Sequence, residues 1–229
     1  MTHKFVDDTT LTEIIARGST SNMQAIVDDL VQQVAQDAMN VNGRKTKELL
    51  MGPISRDPPP PLTVAGAVVE RVESFKLLGV HVSTDLKWAQ HVDAIYSKVA
   101  SRLYFLKQLA RSGASREDLL CFYKTVVRPV LEYACPVWHS SLTDGQTESL
   151  ESLQRRAMRI IHPQIDCRSA MILDDIDPLQ DRREHLTENF FTHNVLDSDS
   201  CLHCLLPEPR NPEIISRFCY PRTYEIPLT

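Results

Sequence analysis

Glycine is scarce in this sequence, with seven residues in 229. Several classes of site that depend on glycine-rich loops are therefore excluded. No glycine-rich loop of the kind that cradles nucleotide phosphates is present, and no glycine-flanked nucleophile suggests Ser/His/Asp or Cys/His catalysis. No apolar run approaches the roughly 18 residues that a membrane-spanning helix needs. We therefore expect a soluble protein without a membrane partner.

A net positive charge is also lacking, because 30 acidic residues outnumber 25 basic ones. The balance is uneven along the chain. Residues 87–160 contain eleven lysines and arginines against seven aspartates and glutamates, whereas residues 166–229 contain six against twelve. A basic middle segment followed by an acidic one predicts one surface that faces phosphates.

Six cysteines are present, and the first residues resemble neither a secretory nor a mitochondrial presequence. We expect reduced thiols in an intracellular protein, in the nucleus or the cytoplasm and not secreted, because Cys121 and Cys135 fall inside apolar helical patterns. Cys201-Leu202-His203-Cys204, with Cys219 fifteen residues further on, resembles half of a zinc site. The spacing does not favour zinc, because a second pair of ligands is missing.

Short strands dominate the pattern before residue 84. The opening MTHKFVDDTTLTEII predicts strand, tight turn and strand, and a helix is expected over 22–39 with Ser21 as its N-cap. Asn42-Gly43 indicates a turn, after which a strand is predicted over 45–51. A proline-rich connector over 57–61 then precedes two apolar strands, with a turn at Ala65-Gly66.

Helical periodicity begins at Trp88 and predicts three successive helices, then a short one near 179–195. Trp88 and Trp138 lie within apolar stripes and are expected in the core, the alternative being that they stack on nucleotides. The three stripes are, in order, Val92, Ile95, Val99, Leu103, Leu106 and Leu109; Leu119, Phe122, Tyr123, Val126, Val127 and Val130; and Leu150, Leu153, Ala157, Ile160 and Ile161.

The predicted fold class is α+β, with a small antiparallel sheet and a crossing helix followed by an α-helical bundle. Three regions are expected: the sheet over 1–84, the bundle over 85–165, and an acidic, partly irregular extension over 166–229.

Asp7 and Asp8 are adjacent at the predicted turn of the first hairpin. Enzymes that transfer phosphoryl groups with two Mg²⁺ ions, roughly 3.5–4 Å apart, hold these ions with clustered carboxylates. A strand-turn-strand with two aspartates at its apex supplies such ligands. The alternative is a solvated turn in which an aspartate makes a local cap.

A series of further motifs follows this pair. Phe5-Val6-Asp7-Asp8 resembles the aromatic-x-Asp-Asp palm motif of reverse transcriptases, and the TTL after it fits the version in non-LTR (LINE-type) retrotransposons. The segment NGRKTK (42–47) is similar to the family's next palm motif, and FKLLGV (75–80) is similar to its primer-grip hairpin, with Leu77 where an aromatic is usual.

Blocks similar to the family's thumb come next, in the same order and spacing. They are DLKWAQHV (85–92), RLYFL (102–106), FY (122–123), RPVLEYA (128–134), PVW (136–138) and LQRRA (153–157). The resemblance covers about residues 4–162 and, more loosely, LLPEPR (205–210).

This resemblance implies the last part of the palm, and the thumb, of an RNA-directed DNA polymerase whose partners are an RNA template and a DNA primer. Asp7 and Asp8 would hold Mg²⁺, and Lys45 would approach the pyrophosphate leaving group. The primer's 3′ end would contact Phe75, Lys76, Leu77, Leu78 and Gly79. If these roles do not apply, Lys45 is a solvated lysine at a strand end. The hairpin around residues 75–79 is then a plain buried β-hairpin.

Basic residues of the thumb-like segment are candidates for contacts with the backbone of a duplex, without reading its bases. Lys98, Arg102 and Arg111 share one predicted helix, and Arg155, Arg156 and Arg159 lie close together on another. The alternative is a solvated basic face.

In the family, the fingers and the first palm strand precede the aspartate motif, and that strand donates a further aspartate. The resemblance contains no counterpart of it. We therefore expect an incomplete Mg²⁺ site and a truncated copy that is inactive by itself, for which an upstream half of the polymerase would be a partner.

Two alternatives stay open. The first is a non-catalytic nucleic-acid-binding or scaffold protein. The second comes from residues 75–109, which also resemble a short N-terminal segment of an AlkB-type tRNA-modifying dioxygenase–methyltransferase. An Fe(II) oxygenase needs two histidines and a carboxylate in a facial arrangement. His91-Val92-Asp93 has the spacing but falls at a predicted helix start, and the glycine-rich loop of a methyltransferase is missing.

Overall fold

The chain forms two compact units, a first unit of short strands that ends at His91 and a helical unit that begins at Val92. A computed structural model describes residues 2–5, 8–16 and 18–210. Helices and small sheets occur together, which confirms an α+β class in its coarse form. The assignment of these regions to a palm and a thumb stays a prediction.

The first hairpin is present as expected. Strand β1 (Thr2–Phe5) pairs antiparallel with β2 (Asp8–Leu11), and Phe5 lies opposite Asp8. Val6 and Asp7, which join the two strands, lie outside the described residues. The prediction of strand, turn and strand is confirmed for the residues on either side of the turn.

Helix α1 (Met23–Gln36) follows, within the predicted range of 22–39. The Ser21 hydroxyl accepts from the Met23 amide at 3.1 Å and donates to the Glu13 carboxylate at 2.6 Å. The residue at the N-cap itself is Asn22, whose side chain makes no capping bond. The expected N-cap was therefore one residue too early, although Ser21 does bond to the first turn.

The core of the first unit is small. Val27 of α1 is buried together with Val64 and Val69, and five partly buried apolar side chains pack around them: Leu11, Met23, Val31, Val41 and Leu62. A second link comes from Gln24, whose side-chain amide accepts from the backbone N–H of Thr63 and donates to its carbonyl. A helix and one short hairpin thus hold each other.

The expectation of a single antiparallel sheet is wrong for the described residues, which form four separate two-stranded sheets. Strand β3 (Lys47–Glu48) pairs parallel with β6 (Glu70–Arg71), and β4 (Thr63–Val64) pairs antiparallel with β5 (Ala67–Val68). These strands have only two residues each. Strands so short leave few groups for a further partner, and a tight turn joins β4 directly to β5.

Two hairpins owe their shape to turns with positive φ at both central positions, the geometry that matches the twist of paired strands. Ala65 and Gly66 form the first such turn, at φ 49° and 80°. Leu78 and Gly79, at 45° and 90°, join β7 (Ser74–Leu77) to β8 (Val80–Ser83). The turn expected at Ala65-Gly66 is confirmed.

The second unit contains the longest helices. Helix α2 (Ala89–Arg111) begins in the first unit and continues into the second, and a further series runs on from it: α3 (Arg116–Phe122), α4 (Arg128–Glu132), α5 (Cys135–Trp138), α6 (Asp144–Ile161), α7 (Cys167–Leu173) and α8 (Leu179–Phe190). A wider turn of π geometry, Tyr123–Val127, joins α3 to α4, and a similar turn, Phe191–Val195, follows α8.

The apolar stripes predicted for these helices contribute most of their buried residues. Trp88 and Trp138 are also buried, as expected. Leu109 is the exception in its stripe, because its side chain is exposed near the end of α2. Three helices begin with a side-chain cap: Ser115 caps α3, Asp166 caps α7 and Thr143 caps α6. Thr143 and Gln146 form a reciprocal capping box.

Arg183 of α8 is fully buried, and its guanidinium carbon lies 5.7 Å from the centroid of the Trp138 ring. This distance is suited to a cation–π interaction. Burial lowers the pKa of Arg183, because desolvation penalises its charged form. The indole ring therefore stabilises a cation inside the helical core.

A polar network crosses the same core. The Tyr123 hydroxyl donates to Oε1 of Gln154 at 2.5 Å, and Nε2 of Gln154 donates to the carbonyl of Asp177 at 2.8 Å. Burial raises the pKa of Tyr123 well above its usual range, which favours the protonated hydroxyl that donates this hydrogen bond. The oxygen and the nitrogen of the buried Gln154 amide therefore each have a hydrogen-bond partner.

We expect Tyr123→Phe to lower the free energy of unfolding by about 1–3 kcal/mol, because it leaves Oε1 of Gln154 buried without a donor. Urea denaturation monitored by circular dichroism measures this. Tyr104→Phe removes the same hydroxyl from an exposed tyrosine and should change stability by less than about 0.5 kcal/mol. Equal effects of the two substitutions would contradict the importance of the network.

Candidate nucleic-acid interface

The residues expected to carry polymerase chemistry do not meet in one sheet. Asp8 is exposed at the start of β2, and Asp7 lies outside the described residues. Lys45 is exposed in a turn before β3, and Phe75 belongs to the β7–β8 sheet. The prediction that a single sheet carries all three is wrong for the described residues, because the hairpins of Asp8 and Phe75 form separate sheets and Lys45 lies in a turn.

Lys45 also does not belong to a strand, in contrast to the expectation of a strand over 45–51. Its backbone N–H donates to the carbonyl of Asn42 at 3.1 Å and lies 3.2 Å from the Asn42 side-chain oxygen. The backbone N–H and the hydroxyl of Thr46 both donate to the same carbonyl of Asn42. Asn42 thus extends the turn through Lys45 and shortens the strand to Lys47–Glu48.

The hairpin that resembles a primer grip has the expected strands and turn, but it is not buried. Phe75 is 40% exposed and Leu78 is 47% exposed, and Lys76 is exposed beside Phe75. Val80 is the buried residue of this hairpin. The expectation of a buried hairpin is therefore wrong for the face that carries Phe75, and its role with a primer stays a prediction.

Two of the basic residues expected to contact phosphates are bound within the protein. Arg102 is half-buried, and its Nη1 donates to the carbonyl of Val126 inside the π turn. Arg155 forms an ion pair with Glu148, two turns earlier on α6. Both guanidiniums therefore already have partners within the protein, and a role of these two residues with phosphates stays a prediction.

The other two arginines of α6 line a groove against α2. Its volume is about 390 Å³, and it is lined by Ala100, Leu103, Tyr104 and Lys107 of α2 and by Arg156, Arg159 and Ile160 of α6. Three of these seven residues are cationic and none is acidic. The structure thus brings Arg156 and Arg159 together with Lys107, which was not among the predicted residues.

One side of α2 faces this groove. Successive residues of an α-helix differ by about 100° in direction, so Tyr96, Ala100, Leu103, Tyr104 and Lys107 fall within one sector. Nη1 of Arg156 donates to the hydroxyl of Tyr96 at 3.3 Å, which links the two helices at one end of the sector. The guanidinium of Arg156 is thereby directed across the gap between the helices.

Lys98 and Arg111, the remaining predicted residues, do not line the groove. Lys98 is exposed on α2, roughly 180° around the helix axis from Lys107. Arg111 is the last residue of α2 and is exposed, on the same side as Lys107 but one turn further along. Lys98 is therefore excluded from the groove by its direction around α2, and Arg111 by its position along it.

Arg159 also acts on the start of α7. Burial raises the pKa of the Cys167 thiol, and the positive charges of Arg155 and Arg159 partly oppose this increase. The electrostatic effect of Arg159 therefore reaches Cys167, which does not line the groove.

The cysteine-rich segment near residue 201 contacts residues that are close to it in the sequence. The Cys204 thiol donates to the carbonyl of Cys201 at 3.1 Å, and Nδ1 of His203 lies 3.2 Å from the carbonyl of Val195. Among the residues that the structure describes, no group of three or more histidine, cysteine, aspartate or glutamate side chains is arranged to hold a metal ion.

His91 and Asp93, the pair weighed for an Fe(II) oxygenase, both lie on α2, where His91 is buried and Asp93 is exposed. Within the described part of the chain, no helix has both the length and the apolar character to cross a membrane. The sequence matches no protein-family model, and no curated protein or solved structure is significantly similar to the chain.

We expect Arg102→Gln to lower the free energy of unfolding by about 1–2 kcal/mol, because it removes a charge-assisted hydrogen bond to the Val126 carbonyl. Lys98→Gln, which makes the same change of charge on an exposed position of α2, should alter stability by less than about 0.5 kcal/mol. Urea denaturation compares the two variants. If Arg102→Gln is as stable as Lys98→Gln, the structural role of Arg102 is disproved.

Proposed function

We propose that this chain is the end of the palm plus the thumb of a LINE-type reverse transcriptase and that its helical unit binds the phosphate backbone of nucleic acids. The ordered series of motifs supports the family origin. The observation that carries the binding function is the groove between α2 and α6, where Lys107, Arg156 and Arg159 converge and no acidic residue lines the wall.

A groove of this composition favours polyanions over other partners. The chain as a whole has a net charge of −5, so the local excess of cations is not a property of its entire surface. Each phosphate that a cation neutralises releases counterions, and the affinity then falls with salt at a slope of about −0.7 to −0.9 per contact. Three cations therefore correspond to a slope of about −2 to −3.

The aspartate hairpin and the Phe75 hairpin are, on this proposal, the palm's contribution, with Mg²⁺ held by Asp7 and Asp8 and by a further carboxylate that the resemblance places upstream. Asp8 and Phe75 belong to separate two-stranded sheets. Among the described strands, no sheet joins the aspartate hairpin to the Phe75 hairpin. We therefore propose that these 229 residues, taken alone, bind nucleic acid without extending a primer.

Backbone binding is tested with a fluorescently labelled RNA–DNA hybrid, whose anisotropy is titrated between 50 and 300 mM KCl. We expect the double variant Lys107→Gln/Arg159→Gln to bind at least tenfold more weakly and to reduce the slope of the salt dependence by about 1.5. The control Lys98→Gln/Arg116→Gln removes the same charge from exposed positions outside the groove. Equal losses in both double variants, or no binding by the unaltered chain, would refute the proposed function.

Polymerase activity is tested by primer extension on poly(rA)–oligo(dT) with Mg²⁺ and labelled dTTP. We expect incorporation no greater than in a sample without protein. Incorporation that Asp7→Asn/Asp8→Asn abolishes would show instead that the chain is a working polymerase, and it would overturn the assignment of inactivity without affecting the binding groove.

A further inference from the structure

We infer that the groove between α2 and α6 takes single-stranded nucleic acid, with an unpaired base stacked on the ring of Tyr104. This inference rests on the proposed function, because the same three cations hold the backbone. It adds a substrate class to that function, since the thumb resemblance implies a duplex.

Tyr104 is the observation behind the inference. Its side chain lines the groove and is 59% exposed, so most of an aromatic ring faces solvent. Exposed aromatic surface gains free energy when another apolar face covers it, and nucleobases supply such a face. Lys107 follows Tyr104 by three residues, so the two residues lie within one turn of the same helix and line the same groove.

The cations line both walls of the groove, an arrangement that suits one nucleotide and its neighbours. Lys107 lies on the same helix as Tyr104, whereas Arg156 and Arg159 project from α6 on the opposite wall. Arg156 is oriented by its hydrogen bond to the Tyr96 hydroxyl, at 3.3 Å. A base on Tyr104 would therefore have cations on both sides to meet the phosphates that precede and follow it.

This combination of an aromatic platform with a basic groove is the physical basis of single-strand binding, in which stacking tolerates every base. A duplex cannot use the platform, because its bases already stack on one another and present only their edges in the grooves. The groove volume of about 390 Å³ falls in the range of sites for small ligands, roughly 300–1,000 Å³, and thus suits a single nucleotide unit.

Phe105 is a matched control on the same helix. It is 56% exposed, and its ring lies edge-on to Tyr104 with 5.8 Å between centroids. It points about 100° away from Tyr104 around α2 and is not part of the groove lining. Removal of its ring therefore changes exposed aromatic area by a similar amount without removing the platform.

The test measures the affinity of the full chain for labelled dT12, rU12 and a 12-base-pair duplex at one fixed salt concentration. We expect Tyr104→Leu to weaken binding of both single strands by about 5-fold to 100-fold, as expected for the loss of one stacked base. The same variant should change duplex binding less than twofold. Phe105→Leu should bind every ligand within twofold of the unaltered chain, because it keeps the ring at position 104.

Photo-crosslinking supplies a second readout that does not depend on affinity. With 5-iodouridine in the rU12 strand, irradiation should give a crosslink at Tyr104 that mass spectrometry locates, and Tyr104→Leu should eliminate it. A crosslink at Phe105 or elsewhere in place of Tyr104 would overturn the inference.

The remaining outcomes separate this inference from the proposed function. If Lys107→Gln/Arg159→Gln weakens binding but Tyr104→Leu acts equally on single strands and duplex, backbone binding holds and the stacking inference fails. If the charge variants match their controls, the proposed function fails as well. If polyglutamate displaces rU12 as well as unlabelled rU12 does, the groove binds acidic chains in general, and the inference is overturned.

Discussion

The side-chain amide of Gln154 is held at both ends inside the helical unit, by the Tyr123 hydroxyl and by the carbonyl of Asp177. These two bonds add to the apolar contacts of Leu150, Leu153 and Ala157, which lie on the same buried face of α6. Arg156 and Arg159 lie roughly 140–200° around the axis of α6 from Gln154, so the packing of this buried face leaves both cations exposed. The basic groove therefore depends on how the opposite side of the same helix is packed.

Much of the helical unit could be predicted from the sequence, because the free energy of a helix in a bundle comes mainly from one apolar face. The stripes through Val99, Leu103 and Leu106, and through Leu150, Leu153 and Ala157, were sufficient to locate α2 and α6 and to identify their buried sides. The π turn could not be predicted in this way, because it changes the phase of the pattern by only one residue.

The first unit was predicted less well. Individual hairpins were recognisable from local turn chemistry at Ala65-Gly66 and Leu78-Gly79, but the pairing of strands distant in sequence was not. Lys47 and Glu48 pair with Glu70 and Arg71 through cross-strand ion pairs at 2.5 Å, a match that no periodicity reveals. The candidate site shows the same limit. Arg155 and Arg156 are adjacent and equivalent in sequence, yet one is paired with Glu148 and the other faces the groove.

The small core around Val27, Val64 and Val69 has a consequence for how the first unit opens. Its sheets are held mostly by neighbours in sequence, so one hairpin can separate while the others persist, and each opening exposes little apolar surface. The helical unit instead shares one large core among helices that are far apart in sequence, and its amide hydrogens become accessible only when many contacts break together. Hydrogen exchange would therefore proceed strand by strand before residue 84 and as a concerted event across the inner turns of α2 and α6.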